Sequence, residues 1–235
     1  MRTLGLIGGM SWESTALYYR HLNEIAKERL GGLHSAPVLL HSFDFDEIAR
    51  LQGAGDWDTA AGLLTDAARG LERAGAEALL ICTNTMHLVA GQVQAAVGVP
   101  LLHIADATGE ALRRAGCRRP VLLGTRFTME KEFYRGRLAE RFGIDALVPD
   151  EAGRGLVHRV IYEELCRGEV RAESRAAYLA EIARLPGADA VILGCTEIGM
   201  LIGPGDLDLP VFDTTRLHAE AAMDFALAGR QAAAG

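Results

Sequence analysis

No stretch of about 18 consecutive apolar residues occurs in this chain, so a membrane-spanning helix is not expected. Met1-Arg2-Thr3 runs into an apolar stretch, Leu4 to Ile7, that Gly8-Gly9 cut short. That stretch is too brief for the core of a secretory leader, so a cytoplasmic protein with reduced thiols is expected. Cysteine is scarce, with four residues and no C-x-x-C pair, and the seven histidines are scattered. Neither a disulfide framework nor zinc-ligand spacing follows from such a pattern, and no metal is expected. Basic charge is also short. The formal net charge is −7 and the pI about 5.5, which is the opposite of a nucleic-acid footprint. Phosphate-cradling loops are missing too. The first glycine turn has the spacing G-x-x-G-G, which matches neither the dinucleotide fingerprint nor the P-loop.

What is present points to an α/β class. The chain has 235 residues, 49% of them hydrophobic, enough for one large or two small domains. Six short apolar runs read as buried parallel strands: Leu4–Ile7, Val38–His41, Ala78–Ile81, Leu101–Ile104, Val121–Leu123 and Ala190–Leu193. Helical periodicity covers Thr15–Leu30, Asp58–Ala74 and Phe133–Phe142, each followed by glycine, and also Thr215–Ala228. Alternation of strands and helices predicts stacked βαβ units.

The chain also repeats itself. A strand into Gly8 is followed by Ala78–Ile81 before Cys82-Thr83, and then by Leu101–Ile104. In the second half a strand into Gly124 is followed by Ala190–Gly194 before Cys195-Thr196, and then by Leu209–Thr214. Three matched elements in one order predict two similar α/β domains, each a parallel sheet flanked by helices, related by a pseudo-twofold with the active site in the cleft between them. The expected boundaries are residues 1–105 for the first domain and 106–212 for the second. The segment 213–235 is expected to pack back on the first.

Cys82 and Cys195 each follow a predicted strand and open a polar turn, the place where ligands sit in open α/β sheets. A free cysteine is more often a small buried hydrophobe, and Cys117 and Cys166 read that way. Matched positions in both halves favour a function for Cys82 and Cys195. Inverting a carbon centre needs one group to remove a proton and another to return one on the opposite face. Thiols suit both roles because their pKa lies near neutrality. Backbone N–H groups at a following helix start are expected to lower these pKa values or to hold a carboxylate. The turn Cys82-Thr83-Asn84-Thr85-Met86-His87 supplies groups that grip carboxylate and ammonium, or cap a helix. His87, five positions past Cys82, is placed either to tune the thiol or to lie on a helix face, and the second reading is the one favoured. Glu197 is placed to hold a substrate ammonium or to favour a helix N-terminus. The turns at Gly8–Thr15 and Gly124-Thr125-Arg126 read as walls of the site.

Met1–Thr15, Cys82–His87 and Gly194–Met200 resemble the aspartate/glutamate racemase superfamily in its aspartate-racemase branch, nearest to the bacterial broad-specificity amino-acid racemases. The likeness extends through Leu40–Ser42, Leu123–Met129 and Val211–Thr214. It implies two α/β domains, a cofactor-independent isomerase, a homodimer, and an amino acid as the small-molecule partner. Cys82 and Cys195 would take the acid/base roles. Met10, Gln52, Thr83, Asn84, Thr85, Thr125 and Thr196 would contact substrate, with Arg167 and Glu197 beside them. Aspartate-specific members carry basic residues for the side-chain carboxylate. Here the corresponding stretches are the acidic run around Arg50 and the segment Cys166-Arg167-Gly168. Aspartate and a neutral amino acid such as homoserine both stay open. So do a maleate isomerase-like or hydantoin racemase-like enzyme and a non-catalytic amino-acid-binding protein.

Overall fold

The computed structural model describes residues 1–231. Seven strands form two wholly parallel sheets. In the first sheet the order is β2 (Val38–Ser42), β1 (Leu4–Gly8), β3 (Ala78–Ile81) and β4 (Leu101–Leu102). In the second it is β5 (Pro120–Gly124), β6 (Ala190–Gly194) and β7 (Val211–Asp213). β1 and β3 pair from Leu4↔Ala78 to Ile7↔Ile81, and β5 and β6 from Pro120↔Ala190 to Gly124↔Gly194. These four strands are buried along their whole length, which explains their unbroken apolar sequence. β2 lies at an edge and turns exposed from Leu40 onward.

The repeat in the sequence is thus a repeat of neighbouring strands: β1-β3-β4 in one half and β5-β6-β7 in the other. In the place that β2 takes beside β1, the second sheet has an isolated parallel bridge between Leu147 and Val121 of β5. The third matched element is short in both halves. β4 stops at Leu102 rather than at Ile104, because Ile104 already opens a helix and is buried among residues of the second sheet.

Helices cover both faces of each sheet. They are α1 (Trp12–Leu30), α2 (Phe45–Ala54), α3 (Trp57–Arg73), α4 (Ala90–Ala95), α5 (Ile104–Ala115), α6 (Arg126–Glu130), α7 (Glu132–Phe142), α8 (Glu151–Glu163), α9 (Ala172–Ala183), α10 (Ile198–Leu201) and α11 (Thr214–Gln231). Strand alternation divides the cores. Leu4, Leu6, Ala78, Leu80 and Cys82 face α1 and α11, whereas Ile7, Leu79 and Ile81 face α2, α3 and α4. In the second sheet Val121, Leu123, Val191, Leu193 and Cys195 pack with α8, α9 and α10, and Leu122, Ala190 and Ile192 with α5 and α7.

The chain forms two compact units. Among the described residues, 1–103 and 218–231 make the first, and 104–217 the second. The C-terminal helix joins the first unit from His218 onward, with Ala219, Ala222, Met223 and Ala226 buried beside Leu4 and Leu6. Residues 232–235, which the sequence reading assigns to that segment, lie outside the described residues. Among the described residues no helix is long and apolar enough to cross a membrane.

Local signals explain the helix limits. α1 starts three residues before the apolar periodicity does, because the Ser11 hydroxyl accepts the Ser14 N–H at 3.3 Å. It ends at Gly31, and α7 ends at Gly143 in a left-handed cap. Gly9 has a stricter requirement. Its φ is +84°, and an added Cβ would lie 2.3 Å from the Phe43 carbonyl oxygen. Gly9→Ala is therefore expected to lower unfolding stability by at least about 2 kcal/mol. Urea denaturation at constant m-value tests this, and a loss under about 0.5 kcal/mol would contradict it.

Candidate active site

Cys82 occupies the position after the last residue of β3, where the alternation of the strand turns its side chain toward α1 and α11. Its thiol is fully buried among Leu80, Tyr18, Leu102, Ala219 and Ala222. Backbone bonds fix the turn. Cys82 N–H donates to Ile7 O at 2.9 Å, and the Ser14 hydroxyl donates to Cys82 O at 3.0 Å. Burial pushes the Cys82 thiol far above its ordinary range. The turn continues into a 3₁₀ stretch, Thr85–Val89, not an α-helix. The expected acidification by a helix start is therefore absent here, and desolvation dominates.

His87 is buried rather than presented on a helix face, which corrects the sequence expectation. Its Nδ1 lies 2.8 Å from Thr83 O, and its ring centroid is 4.6 Å from His103 and 5.6 Å from His218. Desolvation first, then the charges of His103 and His218, hold its pKa well below the usual histidine range. Two charges 4.6 Å apart would repel by roughly 3–4 kcal/mol at an effective dielectric of about 20.

Cys195 follows Gly194 of β6, where the two strand ends approach closely. A Cβ on Gly194 would lie 2.8 Å from Leu123 O, so glycine permits the approach. Cys195 is half-buried against the core shared by α8, α9 and α10. Its Sγ–H donates to Glu197 Oε2 at 2.9 Å, and Glu197 is only 7% exposed. Burial, then the Glu197 carboxylate, raise the Cys195 pKa well above its ordinary value. Cys166 contributes further. It lies in the 3₁₀ turn Leu165–Arg167, packed against the same core, and not on an α-helical face as its sequence suggests.

The remaining expected site residues divide by position. Met10 and Met86 are buried in the core on the α2–α3 side, and Gln52 Nε2 donates to Met86 Sδ at 3.1 Å. Asn84 and Thr85 are buried in the turn after Cys82, and Thr83 is half-buried there. Thr125 caps α6, its Oγ1 accepting the Thr128 N–H at 3.3 Å. Thr196 is half-buried between Cys195 and Glu197. Arg167 is exposed at the end of its 3₁₀ turn, and Arg50 is exposed and paired with Asp46 at 3.0 Å.

One feature escaped sequence reading. A cleft of about 710 Å³ opens in the second unit beside Thr125, lined by Arg126, Glu151, His158, Arg159, Tyr162 and Glu163. The backbone N–H of Arg126 donates to His158 Nδ1 at 3.3 Å. Burial, with the charge of Cys195 as the next cause, raises the Tyr162 pKa, so this wall of the cleft lies within electrostatic reach of the thiol. No group of three or more His, Cys, Asp or Glu side chains among the described residues is arranged to hold a metal ion.

Each unit carries a parallel sheet in which a buried strand, β3 or β6, runs into a free cysteine, Cys82 or Cys195. The chain belongs to the Asp/Glu/hydantoin racemase family, whose model matches residues 7–222. Racemases are isomerases, and that is its enzyme class. It is similar to a Yersinia pestis protein solved as a candidate Asp/Glu racemase, with 55% identity, a TM-score of 0.91, and coverage of 97% of this chain and 100% of that one. It is also similar to an aspartate racemase homologue from Pyrococcus horikoshii OT3, with 35% identity, a TM-score of 0.84, and coverage of 96% and 99%. Among characterised relatives, the broad-specificity amino-acid racemase RacX of Bacillus subtilis is 19% identical over 247 residues, spanning 96% of this chain and 98% of that protein.

The carboxylate beside Cys195 has a measurable consequence. Replacing it by an amide removes the neighbouring negative charge that helps to keep the thiol protonated. Glu197→Gln should therefore shift the pH dependence of Cys195 alkylation by iodoacetamide to lower pH, with several-fold faster labelling near neutrality. Peptide mapping by mass spectrometry reads this site by site. Unchanged or slower labelling would contradict the assignment.

Proposed function

We propose that this chain is a cofactor-independent amino-acid racemase in which Cys82 and Cys195 exchange the α-proton on opposite faces of the substrate. The observation that carries the reading is the pair of thiols at corresponding ends of β3 and β6, the central strands of two matched sheets. Family membership supplies the reaction class.

The chemistry needs one thiolate and one thiol at a time. Both thiols are held protonated by burial, so a base must first accept a proton. Glu197 is in hydrogen-bond reach of Cys195 and takes that role. The transfer moves the single negative charge from the carboxylate to the sulfur, where the entering substrate ammonium offsets it. The Cys195 thiolate then removes the α-proton of one enantiomer, and the Cys82 thiol delivers its proton to the other face. The reverse direction exchanges the two roles. Met10, Gln52, Thr83, Asn84, Thr85, Thr125, Arg167 and Thr196 serve as substrate contacts in this reading.

Acceptance of the side chain is read as broad, including aspartate, glutamate and homoserine. Arg50 is tied to Asp46 on the surface, so it does not restrict the substrate to dicarboxylates. The cleft beside Thr125 carries Arg126 and Arg159 together with Glu151 and Glu163, a lining without a single sign. The protein is further proposed to act in the cytoplasm as a homodimer. A maleate isomerase-like reaction would need one cysteine as a nucleophile. A binding protein would need the Asn and Thr turns but not both thiols.

Incubation of L- and D-amino acids in deuterium oxide tests the reading directly. The wild-type protein should place deuterium at the α-carbon of at least one amino acid and interconvert its enantiomers. Cys82→Ser and Cys195→Ser should each lower racemisation by a factor of about 10²–10⁴. Unimpaired turnover in either variant would defeat the two-thiol mechanism.

A further inference from the structure

Three histidines from distant parts of the sequence meet in the first unit. His87 comes from the 3₁₀ stretch after Cys82, His103 from the turn between β4 and α5, and His218 from α11. His87 and His218 are 2% and 0% exposed. Their partners fix the protons. A carbonyl can only accept, so His87 carries its hydrogen on Nδ1, donated to Thr83 O at 2.8 Å. His218 donates from Nε2 to Leu102 O at 2.8 Å, and its Nδ1 lies 2.8 Å from the Tyr18 hydroxyl. The bond to Thr83 O fixes the Nδ1–H of His87, whose lowered pKa favours the neutral ring.

These bonds converge on the turn that carries the thiol. His87 holds the carbonyl of Thr83, the residue next to Cys82, while Ser14 holds the carbonyl of Cys82 itself. Tyr18 and Leu102, the partners of His218, belong to the cluster that encloses the Cys82 side chain.

We propose that His87, backed by His103 and His218, is a positioning residue for Cys82. It holds the Cys82–Thr83 turn in place only while the three-histidine cluster is neutral. The inference rests on the reading of Cys82 as an acid/base group. A proton taken up here would place a charge in a dry pocket. The ionisable groups facing His87 are His103 from the β4–α5 turn and His218 from α11, both of which add like charge when protonated. Tyr18 from α1 offers a neutral hydroxyl, and Cys82 a protonated thiol. None of them compensates an imidazolium. The charged ring must leave for water, and the bond to Thr83 goes with it.

The sign follows from the lowered pKa of His87. The folded form is favoured above the unfolded histidine pKa of about 6.5, and this preference is lost as pH falls from there toward the folded value. Wild-type kcat should therefore hold through about pH 6.5 and drop only well below it, toward the folded pKa of His87, with KM little changed and more steeply than thiol ionisation alone requires. His87→Asn keeps an N–H donor without titrating in this range. It should retain activity near neutrality and lose that acid limb, whereas His87→Ala should lose about 10-fold or more in kcat across the range.

A readout besides activity separates this inference from the racemase reading. Cys82 labelling by 4,4′-dithiodipyridine, expressed as protection relative to the unfolded protein, should fall about 10-fold between pH 7.5 and 5.5 in the wild type and stay level in His87→Asn. Equal profiles in both proteins would overturn the inference, even if racemisation is found. Absence of racemisation with a pH-dependent difference in protection would instead remove the function and leave the coupling of His87 to the turn.

Discussion

Each thiol lies at the end of a strand buried on both faces, and the burial that stabilises the strand also keeps the thiol protonated. β3 and β6 have no exposed residue along their length, and Cys82 and Cys195 continue their alternation into the cores beside α1 and α11 and beside α8 to α10. Desolvation is the leading cause of the raised pKa at both positions. A reactive thiolate is thus not a property of the empty protein. On the proposed mechanism it is generated when a cationic substrate group arrives, which would link proton transfer to binding.

The two ends meet that constraint differently. Cys195 has a carboxylate 2.9 Å away, able to receive its proton. Cys82 has its turn fastened by Ser14 and by a neutral histidine instead. One half of the repeat has a proton acceptor beside the thiol, and the other has a frame around it. The duplication that makes the strands equivalent therefore leaves the surroundings of the thiols unlike. Divergence of this kind suits a pair in which one member begins as the base and the other as the acid. On the two-thiol proposal the thiols would share their titration through the substrate, and apparent pKa values from rate profiles would belong to the pair.

Much of this was legible in the residues. Short apolar runs, most of them ending in glycine, cysteine or a polar turn, located six of the strands, and the order of Gly8, Cys82, Gly124 and Cys195 disclosed the repeat. Short-range patterns failed where the determining contact is distant in sequence. His87 looks like a helix-face residue because its partners, His103 and His218, belong to other elements. α1 begins earlier than its periodicity because a serine cap, not apolar spacing, sets its start. Strand β4 ends earlier than its apolar run because Ile104 is claimed by the second core. The cleft beside Thr125 left no local trace at all, since it joins the start of α6 to one face of α8.

The two-thiol account is tested most directly by polarimetry in deuterium oxide, with a racemised amino acid followed from each pure enantiomer to equilibrium. If separate groups serve the two faces, each product molecule acquires solvent deuterium and returns more slowly than protonated starting material converts. The rotation should then pass through zero, change sign and decay back, from both directions. A monotonic approach to zero from both enantiomers, with the original α-hydrogen retained in the product, would mean that a single group moves the proton, and the account would be wrong.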